Sequence, residues 1–110
     1  VTALTHAAAR GVQCRIVLNA EAQSSASVQT VQRAGCVVHV VPKTADGQYM
    51  HEKLVLTDRK SLLIGSHNLS TTSLMDNREL SLQLDAAVAP KIIDAVAAEF
   101  DTDFAQASPA

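Results

Sequence analysis

Residues 51–68 read His51-Glu52-Lys53-Leu54-Val55-Leu56-Thr57-Asp58-Arg59-Lys60-Ser61-Leu62-Leu63-Ile64-Gly65-Ser66-His67-Asn68. A strand is expected over 49–57 and a short partner strand over 61–64, with Asp58-Arg59-Lys60 as the tip of a hairpin. Residues two apart on a strand share a face, so His51 and Lys53 point the same way. The hairpin returns Gly65–Asn68 beside them, and in an extended segment Ser66 and Asn68 also share a face. An imidazole, an ammonium, a hydroxyl and a carboxamide then converge on one small volume.

That set suits an anionic phosphorus centre. An imidazole is a nucleophile or proton carrier near neutral pH. Lysine offers three donor hydrogens and the asparagine amide two, a match for the equatorial oxygens of a phosphoryl transition state. Gly65 lacks a side chain, which lets backbone approach a substrate. The arrangement requires no metal, because Lys53 already supplies positive charge. A zinc site of His39, His51 and His67 is the rival chemistry; its spacings fit no usual ligand pattern and Lys53 opposes it.

Outward toward the N-terminus, residues 2–10 read as a helix with Thr2 as a candidate cap and Gly11 as the stop. Val12, Cys14, Ile16 and Leu18 alternate with Gln13 and Arg15, a strand pattern. Ser25 or Ser27 can cap a second helix that carries Val28 and Val31 and ends at Gly35. Cys36-Val37-Val38-His39-Val40-Val41 suits a strand buried on both faces, with His39 as a core histidine. Strand, helix and strand together make a βαβ unit. Residues 42–48 read as a loop turning at Asp46-Gly47. Cys14 and Cys36 are the only cysteines; both sit in apolar stretches and read as buried thiols rather than a disulfide framework.

Outward toward the C-terminus, residues 69–77 are polar and irregular. Leu80, Leu82 and Leu84 alternate with Ser81 and Gln83 as a strand. Pro90 opens a last helix, a position that tolerates proline. Ile92, Ile93, Val96, Phe100 and Phe104 share its core face, and 105–110 reads as a flexible tail.

Composition narrows the remaining classes. At 110 residues, 47% hydrophobic and 18% charged, the chain is one small globular domain. With aromatics at 3%, the core rests on Val, Leu, Ile and Ala. No apolar run is long enough to cross a bilayer, and no signal-peptide pattern opens the chain. The compartment stays open. A net charge of −2 argues against a strongly basic nucleic-acid binder.

The spacing H-x-K-x4-D-x6-G-S-x-N, matched at His51, Lys53, Asp58, Gly65, Ser66 and Asn68, resembles the signature of the phospholipase D superfamily, the HKD motif. Chance produces such a match about once in a million sequences. Asn77-Arg78-Glu79-Leu80 resembles a segment often seen in bacterial members, and the stretch from Ala9 to Val12, leading into a strand, is also similar to the family.

The resemblance implies an α/β fold: a mixed β-sheet flanked by helices, with a parallel βαβ start and an antiparallel hairpin bearing the site. The domain would span 1–104 as the C-terminal part of a module or the second half of a two-motif enzyme, lacking its first strand in this chain. His51 would attack phosphorus and form a phosphohistidine. Lys53 and Asn68 would bind phosphoryl oxygens, with Gly65 and Ser66 supporting the pocket. Glu79 would orient a catalytic histidine. Asp58 would be structural, bonding local backbone at the hairpin tip, and His67, at the variable position, would point away from the pocket. The resemblance implies no cofactor.

Family sites combine two motifs, and only one is present. A homodimer mate, a companion chain or another segment must supply the second, because one histidine attacks while another protonates the leaving group. Hydrolysis or transfer of phosphatidyl groups of phospholipids is the first expectation. A small nonspecific endonuclease acting on DNA or RNA is the second. An inactive half that only completes a fold or interface is the third.

Overall fold

The computed structural model describes residues 1–42 and 49–110, so the turn expected at Asp46-Gly47 lies outside the described residues. Among the described residues, three α-helices and six strands follow in the order α1 (Thr2–Ala9), β1 (Arg15–Asn19), α2 (Ala26–Arg33), β2 (Val37–Val41), β3 (Leu54–Thr57), β4 (Ser61–Gly65), β5 (Ser81–Asp85), α3 (Pro90–Gln106) and β6 (Ser108–Pro109). The class is α/β, as expected. Its strands form two three-stranded sheets, ordered β1-β2-β6 and β3-β4-β5. Two compact units result: Val1–Met50 with Asp101–Ala110, and His51–Phe100.

The first unit is built on the βαβ motif. β1 and β2 pair in parallel, Arg15 opposite Val37 through Asn19 opposite Val41. Ser25 is the cap of α2, its hydroxyl accepting from the Val28 amide at 3.2 Å. Gly35, at φ 112°, takes the left-handed conformation that ends the helix and that only glycine adopts freely. Val28 and Val31 on α2 face Cys14, Cys36 and Val38, with Leu4, Ala8, Ile16 and Leu18 packed around them.

Several expectations change here. Val1, not Thr2, precedes α1 as its cap. β1 begins at Arg15 rather than Val12. β2 is buried on one face only: Val38 and Val40 are inside, whereas Val37 is 49% exposed. Most importantly, Cys14 and Cys36 form a disulfide, with Cα atoms 4.6 Å apart. Both are buried, as their apolar surroundings imply. The parallel register explains the bond: it places residue 14 beside residue 36, one step before the Arg15–Val37 pair. Register is a tertiary fact that neither flanking sequence encodes alone.

The C-terminal stretch is ordered, contrary to the flexible tail expected for 105–110. α3 runs to Gln106, Ala107 is buried, and β6 pairs antiparallel with β2. Arg15 explains part of this order. Its guanidinium donates to Asp101 at 3.0 Å and lies 5.3 Å from the Phe104 ring centre. His39 stacks on Phe104, centroids 3.7 Å apart, and its Nδ1 donates to the Phe104 carbonyl oxygen at 2.6 Å. The sequence suggests a core histidine; His39 is satisfied by these contacts, but it is half-buried on the face of β2 opposite Val38 and Val40.

In the second unit β3, β4 and β5 form an antiparallel meander. The hairpin tip is where it was expected. Asp58 and Arg59 both have positive φ, 54° and 53°, and the Lys60 amide donates to the Thr57 carbonyl at 2.9 Å. This is the type I′ geometry whose twist matches a two-stranded ribbon. β3 is shorter than expected and leaves His51, Glu52 and Lys53 ahead of it. The polar stretch contains a π-helical turn, Thr72–Asp76. Pro90 opens α3 as expected, but its buried residues are Ile93 and Ala97, and Ile92 is 52% exposed. Leu62 and Ile93 are the largest fully buried side chains. Among the described residues, no helix is long and apolar enough to cross a membrane.

The disulfide closes a chain separation of 22 residues. By loop entropy such a closure stabilises the fold by about 3 kcal/mol. Reduction with dithiothreitol, or the C14A/C36A pair, is therefore expected to lower the thermal midpoint by several degrees in a calorimetric scan. An unchanged midpoint on full reduction would show that the bond contributes no stability.

Candidate active site

The motif residues lie on the second unit, on three segments that β4 brings together. The first segment precedes β3. His51 is exposed and Lys53 half-buried. The Lys53 ammonium donates to the His51 carbonyl oxygen at 2.8 Å. Side chain to backbone bonding thus joins these two residues, where the sequence suggested strand alternation.

The second segment leaves β4 at Gly65. Its amide donates to the Lys53 carbonyl at 3.2 Å, so the Gly-Ser-His-Asn run starts beside the lysine. The reason for glycine is visible in the sheet. Gly65 sits opposite Ser81 on β5. A Cβ at Gly65 would stand 2.0 Å from the Ser81 hydroxyl, 2.5 Å from the Leu80 carbonyl oxygen and 2.6 Å from the Ser81 Cα. The sequence suggests room for a substrate; in the sheet, the neighbouring strand occupies the space that a side chain would take.

The third segment, Asn77–Ser81, holds the second. The Ser66 amide donates to the Leu80 carbonyl at 3.1 Å, and the Leu80 amide returns a bond to the Ser66 hydroxyl at 3.1 Å. That hydroxyl donates its own hydrogen to the Glu79 carboxylate at 2.6 Å. Asn77 donates to the other Glu79 oxygen at 3.3 Å. Ser66 therefore uses its hydroxyl as donor and acceptor at once. His67 turns to β5 and hydrogen-bonds through Nδ1 with the Ser81 hydroxyl. Asn68 follows, exposed, and its carboxamide makes no hydrogen bond to the described residues.

These bonds set the charge on Glu79. The Ser66 hydrogen bond is the main reason its carboxyl titrates below the usual glutamate value; partial loss of water opposes this, and Asn77, Ser73 and the charge of His67 add to the lowering.

Asp58 stands apart. It lies at the hairpin tip, the far end of the β3–β4 ladder from Lys53. Its carboxylate makes no hydrogen bond to the described residues, contrary to the expected local backbone bond. Its contribution is conformational: Asp and Asn tolerate the left-handed region better than most residues. Sequence reading overlooked Ser81 and Asn77. No local signal marks Ser81, because its place opposite Gly65 depends on the β4–β5 register.

Residues 1–105 match the family described as "Cardiolipin synthase, PLD-like domain". Mitochondrial cardiolipin hydrolase of Mus musculus is 32% identical over 72 residues, covering 64% of this chain and 31% of that protein. The Homo sapiens protein of the same name is also 32% identical over 72 residues, covering 27% of its length. The matched stretch is thus less than a third of either relative. Among solved structures, a phospholipase D family member, Nuc from Salmonella typhimurium, has a TM-score of 0.82 at 18% identity, over 99% of this chain and 71% of that one. NucT from Helicobacter pylori has a TM-score of 0.79 at 20% identity, over 99% and 72%. At these identities the two structures establish likeness of fold.

Because the folded Glu79 carboxyl titrates low, its ionised form adds stability that is full above the ordinary glutamate value. That stability is lost as pH falls through the lowered folded value. Ser66→Ala removes the main cause, so Glu79 followed by carboxyl-carbon NMR should titrate closer to an ordinary glutamate. An unmoved titration would assign the lowering to Asn77, Ser73 and His67. Gly65→Ala drives a methyl into the β5 backbone and should cost about 2 kcal/mol or more in denaturant unfolding.

Proposed function

This chain belongs to the PLD-like domain family of cardiolipin synthase, and from that premise we propose that it carries one motif of a metal-independent phosphodiesterase acting through a phosphohistidine. The supporting observation is the Gly65 amide bonded to the Lys53 carbonyl, which sets the Gly-Ser-x-Asn run against the His-x-Lys pair. A nucleophile and two kinds of oxyanion donor then serve one phosphoryl group.

The chemistry balances with two histidines. An imidazole nitrogen of His51 attacks phosphorus. The P–N bond forms as the P–O bond to the leaving alcohol breaks, and that oxygen takes a proton from the second histidine. Water or an alcohol next gives a proton to the same histidine and attacks the phosphohistidine. A P–O bond forms, the P–N bond breaks, and His51 is restored. Lys53 and Asn68 donate to the non-bridging oxygens, whose charge grows in the transition state. Ser66 holds the pocket wall. Glu79, kept ionised by Ser66, is the negative charge that favours the imidazolium form of a catalytic histidine. The second histidine comes from a second motif, on another copy of the chain or in another segment of the protein.

The substrate we propose is a phospholipid, with hydrolysis or phosphatidyl transfer at the diester. Support comes from the family's description and from relatives named for cardiolipin hydrolysis. The net charge of −2 also leans away from a nonspecific nuclease, whose affinity comes largely from neutralising phosphates.

The test uses the intact protein on vesicles of cardiolipin, phosphatidylglycerol or phosphatidylcholine, with plasmid DNA in parallel, all in EDTA. Headgroup or phosphatidic acid release is expected, with His51→Ala lower by about three orders of magnitude or more. Cleavage of DNA without lipid turnover would make a small endonuclease the correct reading. Full activity of His51→Ala would remove His51 from the mechanism.

A further inference from the structure

We infer that His67 and Ser81 are positioning residues: their side-chain hydrogen bond fixes the segment that presents Ser66 and Asn68. The kinetic part of this inference rests on the phosphodiesterase reading above. The structural part does not.

The observations come from one small region. Ser81 stands opposite Gly65, and its hydroxyl lies where a Gly65 side chain would be. From that place it reaches His67 Nδ1. His67 is half-buried, whereas Ser66 and Asn68 on either side are exposed. The imidazole thus turns to the protein while its neighbours turn to solvent. Three consecutive residues of the third segment hold the second: Glu79 takes the Ser66 hydroxyl, Leu80 bonds both the Ser66 amide and its hydroxyl, and Ser81 takes the His67 ring. β4 ends at Gly65 and β5 begins at Ser81, so the regular ladder stops one pair short of Ser66. Among the described residues, the hydrogen bond that reaches this segment from β5 beyond Ser66 is the one between His67 and Ser81.

The physical consequence falls on Asn68. Its carboxamide is exposed and makes no hydrogen bond to the described residues. Its aim depends on the backbone just before it. Donors to a developing oxyanion act through fixed placement, and a displacement of about 1 Å costs about a hundredfold in rate.

The variants exploit the shape of the imidazole. His67→Asn keeps a polar atom near the position of Nδ1, and His67→Phe keeps the ring but loses the nitrogen. Ser81→Ala loses the partner. On the intact protein, His67→Phe and Ser81→Ala are expected to lower kcat by about one to two orders of magnitude at nearly unchanged KM. His67→Asn should recover most of that loss. The His67→Phe/Ser81→Ala double variant should be no slower than either single one, because both remove the same bond.

Amide hydrogen exchange supplies a readout independent of turnover. The Ser66 and Leu80 amides, which bond the Leu80 carbonyl and the Ser66 hydroxyl, should lose protection in His67→Phe and Ser81→Ala, with the amides of β3 and β4 unchanged. Unchanged protection at Ser66 and Leu80 overturns the inference whatever the activity. So does a His67→Asn variant as slow as His67→Phe with a raised KM, which would make His67 a substrate contact. Altered protection together with an active His51→Ala would uphold the positioning role and sink the phosphohistidine reading, so the two failures are distinct.

Discussion

Backbone at Gly65 and Ser81 comes so close that no Cβ fits between the strands. The candidate site depends on that approach. It lets the Ser81 hydroxyl sit over the glycine and meet His67, and it lets Leu80 pair with Ser66 on both amide and hydroxyl. Glu79 then falls beside Ser66 because it is the next residue out. A methyl at residue 65 would push β5 away and loosen all of these together. Glycine is thus needed for a packing reason, and the polar network follows from the packing.

The network is economical with polar groups. Ser66 donates to a carboxylate and accepts from an amide, which uses most of the capacity of a hydroxyl. Glu79 accepts on both oxygens. Such bonds favour the charged carboxylate without burying it, which avoids the large cost of an unpaired charge inside a protein. The donors proposed to face substrate, Lys53 and Asn68, are treated differently. Lys53 rests on a backbone carbonyl that a phosphoryl oxygen can replace as acceptor, and the Asn68 carboxamide makes no hydrogen bond to the described residues.

The first unit solves another problem. With three aromatic residues in 110 and short elements, its core is a small cluster of valines, two cysteines and flanking aliphatics. The disulfide joins the paired strands of the βαβ motif at their start. At the other side His39, Phe104, Arg15 and Asp101 tie the end of α3 to the same two strands. Covalent and polar links supplement a hydrophobic core that is modest in size.

Much of this was legible in residue order. Alternation at β1, β-branched residues at β2, Ser25 before α2, Gly35 after it and Pro90 at α3 are local signals, and each follows from backbone or side-chain stereochemistry within a few residues. The polar triplet at 58–60 placed the hairpin for the same reason. The spacing of His51, Lys53, Gly65, Ser66 and Asn68 named a family, because reactive groups must recur at fixed intervals to meet. Strand ends, the exposed faces of β2 and α3, the order in residues 107–109 and the splitting of the strands into two sheets were not legible. They depend on which segment lies opposite which. The same is true of the Cys14–Cys36 bond, which needs the parallel register, and of Ser81, whose role exists only because β5 pairs with Gly65. Sequence by itself determined the local elements and the set of reactive side chains. Tertiary structure decided their pairings, because hydrogen bonds and contacts between residues distant in the chain form only after register is set.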